Sequence, residues 1–287
     1  MKPAPFCYHA PESLENAVAL LAEHGDEAKP LAGGQSLVPM LSLRLASFEH
    51  LVDLNGVASL SSIARTNGSL RIGAMVRQAT AEHSPEVAGA VPLLSRALPL
   101  IGHFQIRNRG TIGGSIAHGD PASELPAVAL ALRATVEAEG PSGTRRIASE
   151  DFFVSTWETA LRDGEILAAV EFPVWSGTCG FAIEEVARRH GDFALVGVAC
   201  GVEVNGPSVV RAGIAMFGVG PTAIRVAAAE HALIAGGTGA DLTEIGRIAA
   251  NDLTPPDDVH ASSAYRKQVA AVVVRRALSR AIAEATK

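Results

Sequence analysis

The stretch IGHFQIRNRGTIGGSIAHGDPASELPAVALAL, residues 101–132, carries the most informative local signals in the chain. Within it a Gly-Gly-Ser turn, Gly113–Ser115, follows the β-branched pair Thr111-Ile112, which is predicted to be extended. A helix start comes next, with Asp120 expected as the N-cap and Pro121 in the first helical position. Adjacent glycines let the backbone approach a ligand closely, and successive exposed N–H groups form a concavity for an anion.

An earlier loop has the same chemistry. Residues 29–37 read KPLAGGQSL, and they also follow a short segment that is predicted to be extended. Two such loops predict two backbone cradles on one diphosphate. For either loop taken alone, a simple tight turn is the favoured interpretation.

Composition limits the class of protein. The 287 residues are 48% hydrophobic and 19% charged, values typical of a soluble globular protein with two or three domains or subdomains. The net charge is −6 and no basic run is present, which disfavours nucleic acid as a partner. The N-terminal stretch 1–21 is interrupted by prolines and glutamates and lacks a secretory apolar core. No apolar run reaches the roughly 18–20 residues of a membrane helix, so a cytoplasmic location is expected.

Cysteine and histidine spacing predicts no metal site. Cys7, Cys179 and Cys200 are scattered, form no C-x-x-C and cannot supply a four-thiolate cluster. They are expected to be reduced and mostly buried. The nine histidines form no H-E-x-x-H or other close metal pair.

The part of the chain before the segment 175–180 alternates short helical and extended patterns. The predicted elements are a helix at 13–24, a short helix beginning after Pro39, a strand at 50–54, a hairpin at Asn67-Gly68, a helix at 87–98 that Pro92 bends or splits, and strands at 135–139, 144–148 and 165–172.

A change of composition at 175–180 predicts a domain boundary. Beyond it, three strands at 181–187, 194–204 and 209–217 form an antiparallel meander, and helices at 224–234, 242–251 and 262–285 follow. Strands followed by helices favour an α+β layer over a parallel βαβ wrap.

Two formal motifs are weaker than they look. Gly218–Ala223 matches the dinucleotide fingerprint G-x-G-x-x-G/A, but the rest of the chain, 224–287, looks wholly helical. A nicotinamide-binding half needs further parallel strands, so a strand-to-helix turn is the better interpretation. Gly34-Gln-Ser36 and Gly113-Gly-Ser115 resemble a nucleophile elbow, but each lacks its final glycine, which disfavours a hydrolase.

Several side chains near the loops allow two interpretations. Glu124 points towards whatever the Gly-Gly-Ser turn holds and could accept a hydrogen bond from a sugar or ribityl hydroxyl. Arg107 and Arg109 either offset phosphate charge or are simply solvated. Phe193 either stacks on a planar cofactor or belongs to the core.

Three segments together resemble a known family. Residues 32–54, 101–126 and 187–199 are similar to the FAD-binding medium subunit of the molybdenum hydroxylases, nearest to the carbon monoxide dehydrogenase type and more distantly to xanthine dehydrogenases. The resemblance implies an FAD-binding domain of the vanillyl-alcohol-oxidase type with subdomains at 1–56 and 57–176. It also implies a C-terminal domain, 177–287, that pairs a three-stranded antiparallel sheet with helices.

The resemblance also implies roles for individual residues. The two glycine loops would hold the FAD diphosphate, Glu124 would bond the ribityl chain, Ile101 and Leu167 would lie against the flavin, and Phe193 would flank the isoalloxazine. The expected cofactor-binding residues are Lys29, Pro30, Leu31, Ala32, Gly33, Gly34, Gln35, Ser36, Leu37, Ile101, Thr111, Ile112, Gly113, Gly114, Ser115, Asp120, Glu124, Leu167 and Phe193.

Two departures from the family pattern are visible. Gln35 stands where covalently flavinylated relatives carry an attaching histidine, so FAD is expected to be non-covalent. Phe104 stands where close relatives often have proline, so that turn is expected to differ locally.

The implied partners are a small subunit with two [2Fe–2S] clusters and a large molybdopterin subunit, in a dimer of heterotrimers. Electrons would pass from the clusters through FAD to NAD, a quinone or dioxygen, and the substrate would bind to another chain. The alternative is a stand-alone FAD-dependent oxidase or dehydrogenase of the same fold, for which no convincing base is apparent. A non-catalytic interaction protein with vestigial loops is a third possibility.

Overall fold

The computed structural model describes residues 2–251 and 253–287, and it mixes helices and sheets as the sequence indicated. The N-terminal sheet contains β1 (Cys7–His9), β2 (Ala28–Leu31) and β3 (His50–Asp53). Both pairings are parallel, and the strand order is β1-β3-β2. The carboxyl ends of β2 and β3 therefore meet at one edge of the sheet.

Helix α1 (Leu14–His24) confirms the helix predicted at 13–24, and it packs on this sheet. The Ser13 side chain accepts a hydrogen bond from the amide of Asn16, which caps the helix start. Its buried face packs into a small core that also contains Val52 of β3. Gly25 ends the helix at a φ of +52°, a conformation that favours glycine.

Helix α2 (Leu37–Ser42) corrects one prediction. It begins before Pro39 rather than after it. The first turn of a helix has no intrahelical partners for its amides, so a proline there removes no hydrogen bond.

The middle sheet is antiparallel throughout, in the order β4-β5-β10-β6-β7, and a separate two-stranded ribbon accompanies it. The strands are β4 (Ile63–Thr66), β5 (Ser69–Gly73), β6 (Thr135–Gly140), β7 (Gly143–Ala148) and β10 (Ile166–Pro173), with β8 (Phe153–Ser155) and β9 (Glu158–Thr159) in the ribbon. The hairpin at Asn67-Gly68 and the strands expected near 135–148 and 165–172 are confirmed.

Short helices lie between β5 and β6. They are α3 (Gln78–Glu82), α4 (Pro85–Ala90), α5 (Pro92–Ala97), α6 (Phe104–Arg109), α7 (Ile112–His118) and α8 (Glu124–Leu132). Pro92 splits the expected long helix into α4 and α5. Every residue of α8 is buried, so this helix forms part of the largest core.

The pair Thr111-Ile112 is not a strand, contrary to expectation. Thr111 is the N-cap of α7, and its hydroxyl accepts a hydrogen bond from the amide of Gly114 at 3.0 Å. Gly113 and Gly114 therefore lie in the first turn of a helix. Threonine favours this position because its side chain satisfies an amide that the helix leaves free.

Asp120 does not cap α8, which begins only at Glu124. Its carboxylate instead accepts a hydrogen bond from the amide of Ala122 at 2.9 Å and closes a local turn. This turn competes with helix formation. Pro121 belongs to the turn, where its carbonyl accepts a hydrogen bond from the amide of Gly218.

The C-terminal sheet contains the predicted antiparallel meander and one additional short strand. Its order is β11 (Thr178–Val186), β12 (Val196–Asn205), β13 (Ser208–Phe217) and β14 (Ile224–Arg225). Helices α9 (Ala227–Gly236), α10 (Leu242–Asn251) and α11 (Ser263–Ala285) pack on it and share its core.

The fingerprint-like segment Gly218–Ala223 leads into β14 and not directly into a helix. It forms a turn in which the amide of Gly218 donates to the Pro121 carbonyl. Among the described residues, no helix has the length and apolar character needed to cross a membrane. The three principal sheets fall within 1–56, 57–176 and 177–287, and that division of the chain into domains stays a prediction.

Candidate functional site

The first glycine loop leaves β2 at the carboxyl edge of the N-terminal sheet. Asp53 and Asn55 leave the neighbouring strand β3 at the same edge. The Asn55 side-chain amide donates a hydrogen bond to the carbonyl of Ala32 at 3.2 Å, and Asp53 accepts one from the backbone amide of Asn55 at 2.9 Å. The end of β3 thus fixes the start of the loop.

The amides of this loop are available to a ligand. Within the described part of the chain, no acceptor receives a hydrogen bond from the backbone N–H of Gly33, Gly34, Gln35 or Ser36. Gly34 has a φ of +72°, and the carbonyl of Gly34 starts the turn that leads into α2. Successive free amides at such a turn form a binding site for an anion.

The two glycine loops touch each other. A Cβ added to Gly33 would lie 2.4 Å from the carbonyl oxygen of Arg109 and 2.8 Å from the Cα of Gly110. A Cβ added to Gly114 would lie 3.2 Å from the Cβ of Ala32. Only glycine permits this approach, so the sequence-based expectation that the loops meet agrees with the structure.

The second loop does not supply a matching set of free amides. The amides of Ile112, Gly113, Gly114 and Ser115 all donate within the protein, to Val76, Ala74, the Thr111 hydroxyl and the Thr111 carbonyl. The expectation that backbone N–H groups of both loops face a diphosphate is therefore corrected. The second loop contributes close packing, and the free donors belong to the first loop.

Arg77 ties the loops together through its guanidinium group. It donates one hydrogen bond to the Asn55 side-chain oxygen at 2.5 Å and another to the carbonyl of Arg109. Because Asn55 in turn holds Ala32, the chain of contacts runs from the first loop to the segment that precedes the second. We call Asn55 and Arg77 the loop clamp.

A cleft of about 520 Å³ opens over the first loop. Its lining includes five of the predicted residues, which stay a prediction, and five residues that the sequence did not single out. The predicted residues in the lining are Leu31, Ala32, Gly33, Gly34 and Gln35. Arg109, which the sequence left as either a partner of phosphate or a solvated side chain, also lines the cleft. The missed residues are Tyr8, Val38, Pro39, Asp53 and Asn55.

The two arginines near the second loop have different roles. Arg107 is buried, pairs with Glu82 at 2.7 Å and donates to the carbonyl of Ile101 at 3.0 Å, so it is structural. Arg109 is exposed and lines the cleft beside the free amides. Of the two, only Arg109 can offset the charge of a bound anion.

A second region brings together other predicted residues. A Cβ on Gly191 would lie 2.7 Å from the His103 ring and 3.1 Å from the carbonyl of Gly102, so the 187–195 loop packs on the segment after Ile101. Phe193 in this loop is 66% exposed, which excludes the core interpretation. An exposed phenylalanine is free to contact a planar ligand.

Glu124 lies at the start of α8 and is 7% exposed. Burial raises the pKa of Glu124 to about 8, and the nearby carboxylates of Glu185 and Asp120 act in the same direction. Burial also raises the pKa of Glu185 to about 7. Glu124 is therefore neutral through most of the physiological range and can donate a hydrogen bond as well as accept one.

Asp120 is held beside α7 by an aromatic residue that the sequence did not single out. The Trp157 indole donates to its carboxylate at 3.1 Å and lies parallel to the His118 ring. Burial lowers the pKa of His118 despite the neighbouring Asp120. Trp157 is exposed and has a φ of +59°, which is rare for a residue of its size.

The remaining predicted residues lie outside the lining of the cleft. Leu167 is buried in the main core, while the Lys29 ammonium lies 5.7 Å from the centre of the Phe48 ring. Pro30, Ser36, Leu37, Ile101, Asp120, Glu124 and Phe193 are also outside the lining, as is the whole segment 111–115.

The cysteines are free thiols in separate environments. Cys7 is exposed, contrary to the expectation of burial, whereas Cys200 is fully buried. Burial raises the pKa of Cys200 to about 12 and that of Cys179 to about 11, so both are protonated and inert.

Comparison with known proteins assigns the class of protein. A model of the FAD binding domain in molybdopterin dehydrogenase matches residues 4–175, and one of the CO dehydrogenase flavoprotein C-terminal domain matches residues 181–281. The fold and these matches define a flavoprotein subunit.

Individual relatives cover nearly the whole chain. The 6-hydroxypseudooxynicotine dehydrogenase complex subunit alpha of Paenarthrobacter nicotinovorans is 42% identical, over 98% of this chain and 96% of its own. A carbon monoxide dehydrogenase structure from Hydrogenophaga pseudoflava matches with a TM-score of 0.95, 40% identity and 99% coverage of both chains. Quinoline 2-oxidoreductase from Pseudomonas putida 86 matches with a TM-score of 0.94, 36% identity and 100% coverage of both. The chain belongs to the family of FAD-binding medium subunits of molybdenum hydroxylases, which includes the carbon monoxide dehydrogenase medium chains.

The loop clamp leads to a first prediction. Replacing Arg77 by Met removes two charge-assisted hydrogen bonds, so we expect FAD affinity to fall at least about 10-fold and stability to drop by about 1–3 kcal/mol. Titration of FAD into the flavin-free chain measures the first effect and thermal melting the second. Arg65→Met on exposed β4 is the matched control. Wild-type affinity in a folded Arg77→Met chain would contradict the role of the clamp.

The buried carboxyl of Glu124 leads to a second prediction. Its folded-state pKa of about 8 lies above the unfolded value of about 4.3, so the folded chain holds a proton that the unfolded chain has released. Stability therefore falls as the pH rises through this window, and Glu185 acts in the same direction. Between about pH 6 and pH 9 the Tm of the flavin-free wild-type chain should fall. In the flavin-free Glu124→Gln chain this fall should be smaller by about 2–8 °C. Glu23→Gln, on the exposed side of α1, should follow wild type, and an identical loss in the Glu124 variant would refute the assignment.

Proposed function

We propose that this chain is the FAD-binding electron-transfer subunit of a molybdenum hydroxylase complex. Electrons would arrive from [2Fe–2S] clusters on a small partner subunit and leave through FAD to NAD, a quinone or dioxygen. Substrate would be oxidised on a large molybdopterin subunit, and the complex would be a dimer of such heterotrimers. The FAD-binding domain in molybdopterin dehydrogenases that matches residues 4–175 carries this proposal.

The residues present fit FAD. The unpartnered amides of Gly33–Ser36 would hold the diphosphate, and Arg109 at the cleft wall would offset its charge. Gly113 and Gly114, with Thr111, Ile112 and Ser115, would hold the first loop in place by close packing. The remaining loop residues, Lys29, Pro30, Leu31, Ala32 and Leu37, would shape its approach.

The second region would receive the rest of the cofactor. Neutral Glu124 would hydrogen-bond the ribityl chain, with Asp120 beside it, and Phe193 would flank the ring system. Ile101 and Leu167 would form its apolar surroundings. The domain would be of the vanillyl-alcohol-oxidase type, with subdomains at 1–56 and 57–176.

Bound FAD supplies the redox chemistry, since it exchanges electrons both singly and in pairs. The chain itself binds, orients and shields the cofactor. Gln35 donates its side-chain amide to the carbonyl of Gly33 at 3.1 Å and offers no nucleophile, so the attachment would be non-covalent. The exposed free thiol of Cys7 favours a reducing, cytoplasmic location.

The decisive experiment uses the FAD-loaded chain under anaerobic conditions. Acid precipitation should release all the flavin. Reduced small iron–sulfur subunit should bleach the flavin absorbance, whereas aromatic heterocycles and aldehydes added to the chain alone should not. Bleaching of the isolated chain by such a substrate would instead favour the stand-alone oxidase, and a chain that fails to bind FAD would refute both.

A further inference from the structure

Three histidines that are distant in sequence meet on one face of the N-terminal sheet. His9 ends β1, His50 begins β3 and His24 ends α1. The Nε2 of His9 lies 2.9 Å from the Nδ1 of His50, and the rings of His24 and His50 have centroids 3.7 Å apart. One ligating nitrogen from each ring lies within 4.8 Å of the other two. We call these residues the histidine cluster.

Topology explains why the cluster forms. In the parallel pairing of β1 with β3, Cys7 lies opposite His50 and His9 opposite Val52. Alternate residues of a strand share a face, so His9 and His50 both project from the face that carries buried Val52. Helix α1 covers this face, and its last residue is His24.

The rings keep unused ligand atoms. Of the six ring nitrogens, the described residues provide a hydrogen-bond partner for only two, those of the His9–His50 contact. All three rings are partly exposed, so an ion can reach them from solvent. A neutral imidazole offers one lone pair, and imidazole is a common ligand of zinc.

Two carboxylates stand beside His50. Glu27, Glu49 and His50 place one ligand atom each within 4.8 Å, and the amide of Glu49 donates to the carbonyl of Glu27 at 3.0 Å. Three neutral imidazoles and two carboxylates would balance the charge of a divalent ion. A carboxylate can also orient a ligating ring.

We propose that the histidine cluster is a Zn²⁺ site with His9, His24 and His50 as ligands, and that Glu27 and Glu49 beside His50 balance the charge of the ion. Zn–N bonds of about 2.0–2.1 Å bring neighbouring ligand nitrogens to about 3.3 Å in a tetrahedron, so small side-chain rotations complete the geometry. The site lies on the face of the sheet that α1 covers, whereas the cleft opens at the carboxyl edge of the same sheet. None of the three histidines lines the cleft, so the site is distinct from the proposed FAD site.

The test is titration of Zn²⁺ into the tag-free full-length chain, followed by calorimetry. We expect one Zn²⁺ per chain, at least about 10-fold weaker binding in each of the variants His9→Asn, His24→Asn and His50→Asn, and no change in His231→Asn. His231 is a histidine of α9, remote from the cluster in the chain, and serves as the matched control. Unchanged FAD content in the three variants would show that they fold and that the sites are separate.

Replacement of Zn²⁺ by Co²⁺ supplies an independent readout, since tetrahedral nitrogen and oxygen ligation gives visible absorption bands. These bands should appear in wild type and in His231→Asn and be lost in His24→Asn and His50→Asn. Absence of stoichiometric Zn²⁺ binding would overturn the proposal. So would binding that survives all three cluster substitutions or is lost only on replacing His103 or His190, whose rings lie 6.3 Å apart elsewhere.

Discussion

The close contact between the backbone of Gly33 and the carbonyl of Arg109 is the constraint on which the candidate site depends. No side chain fits between the two segments, because a Cβ on Gly33 would lie 2.4 Å from that oxygen. The contact places a loop from the N-terminal sheet against the end of α6, which is distant in the chain. Among the described residues, the backbone amides of 33–36 have no hydrogen-bond acceptor, and Gly33, Gly34 and Gln35 line the cleft.

The rest of the region stabilises this arrangement. Asn55 and Arg77 link the carbonyls of Ala32 and Arg109 through side-chain hydrogen bonds. Thr111 and the carbonyls of Ala74 and Val76 accept hydrogen bonds from the amides of the second loop. That loop is therefore held in place before any ligand binds. A site with fixed donors loses less entropy on binding than one that must be ordered. This division, with free donors on one loop and rigid packing on the other, suits the binding of a dinucleotide.

Many of the secondary-structure boundaries and both glycine loops could be predicted from the sequence, because local sequence signals determine them. Ser13 and Gly25 bound α1, Asn67-Gly68 makes a hairpin, Pro92 separates two helices, and the glycine pairs mark the two loops. Other features depend on tertiary contacts. Asp120 closes a local turn instead of capping α8, a choice between two hydrogen bonds that spacing does not reveal.

Three of the five missed lining residues share one cause. Tyr8, Asp53 and Asn55 line the cleft because β1, β2 and β3 pair in parallel. Local sequence patterns do not predict which distant strands pair. Polar residues at the end of β3 and just after it were the available signal, since the ends of parallel strands meet at one edge. The histidine cluster was missed for the same reason, because its members belong to three different elements and only the fold brings them together.

Hydrogen exchange of the backbone amides, compared between flavin-free and FAD-loaded chain, tests the central claim most directly. The account expects Gly33–Ser36 to exchange rapidly without FAD and to become protected when it binds, while Gly113 and Gly114 are protected in both states. Unchanged exchange at Gly33–Ser36 on loading with FAD would contradict the assignment of these amides to the diphosphate.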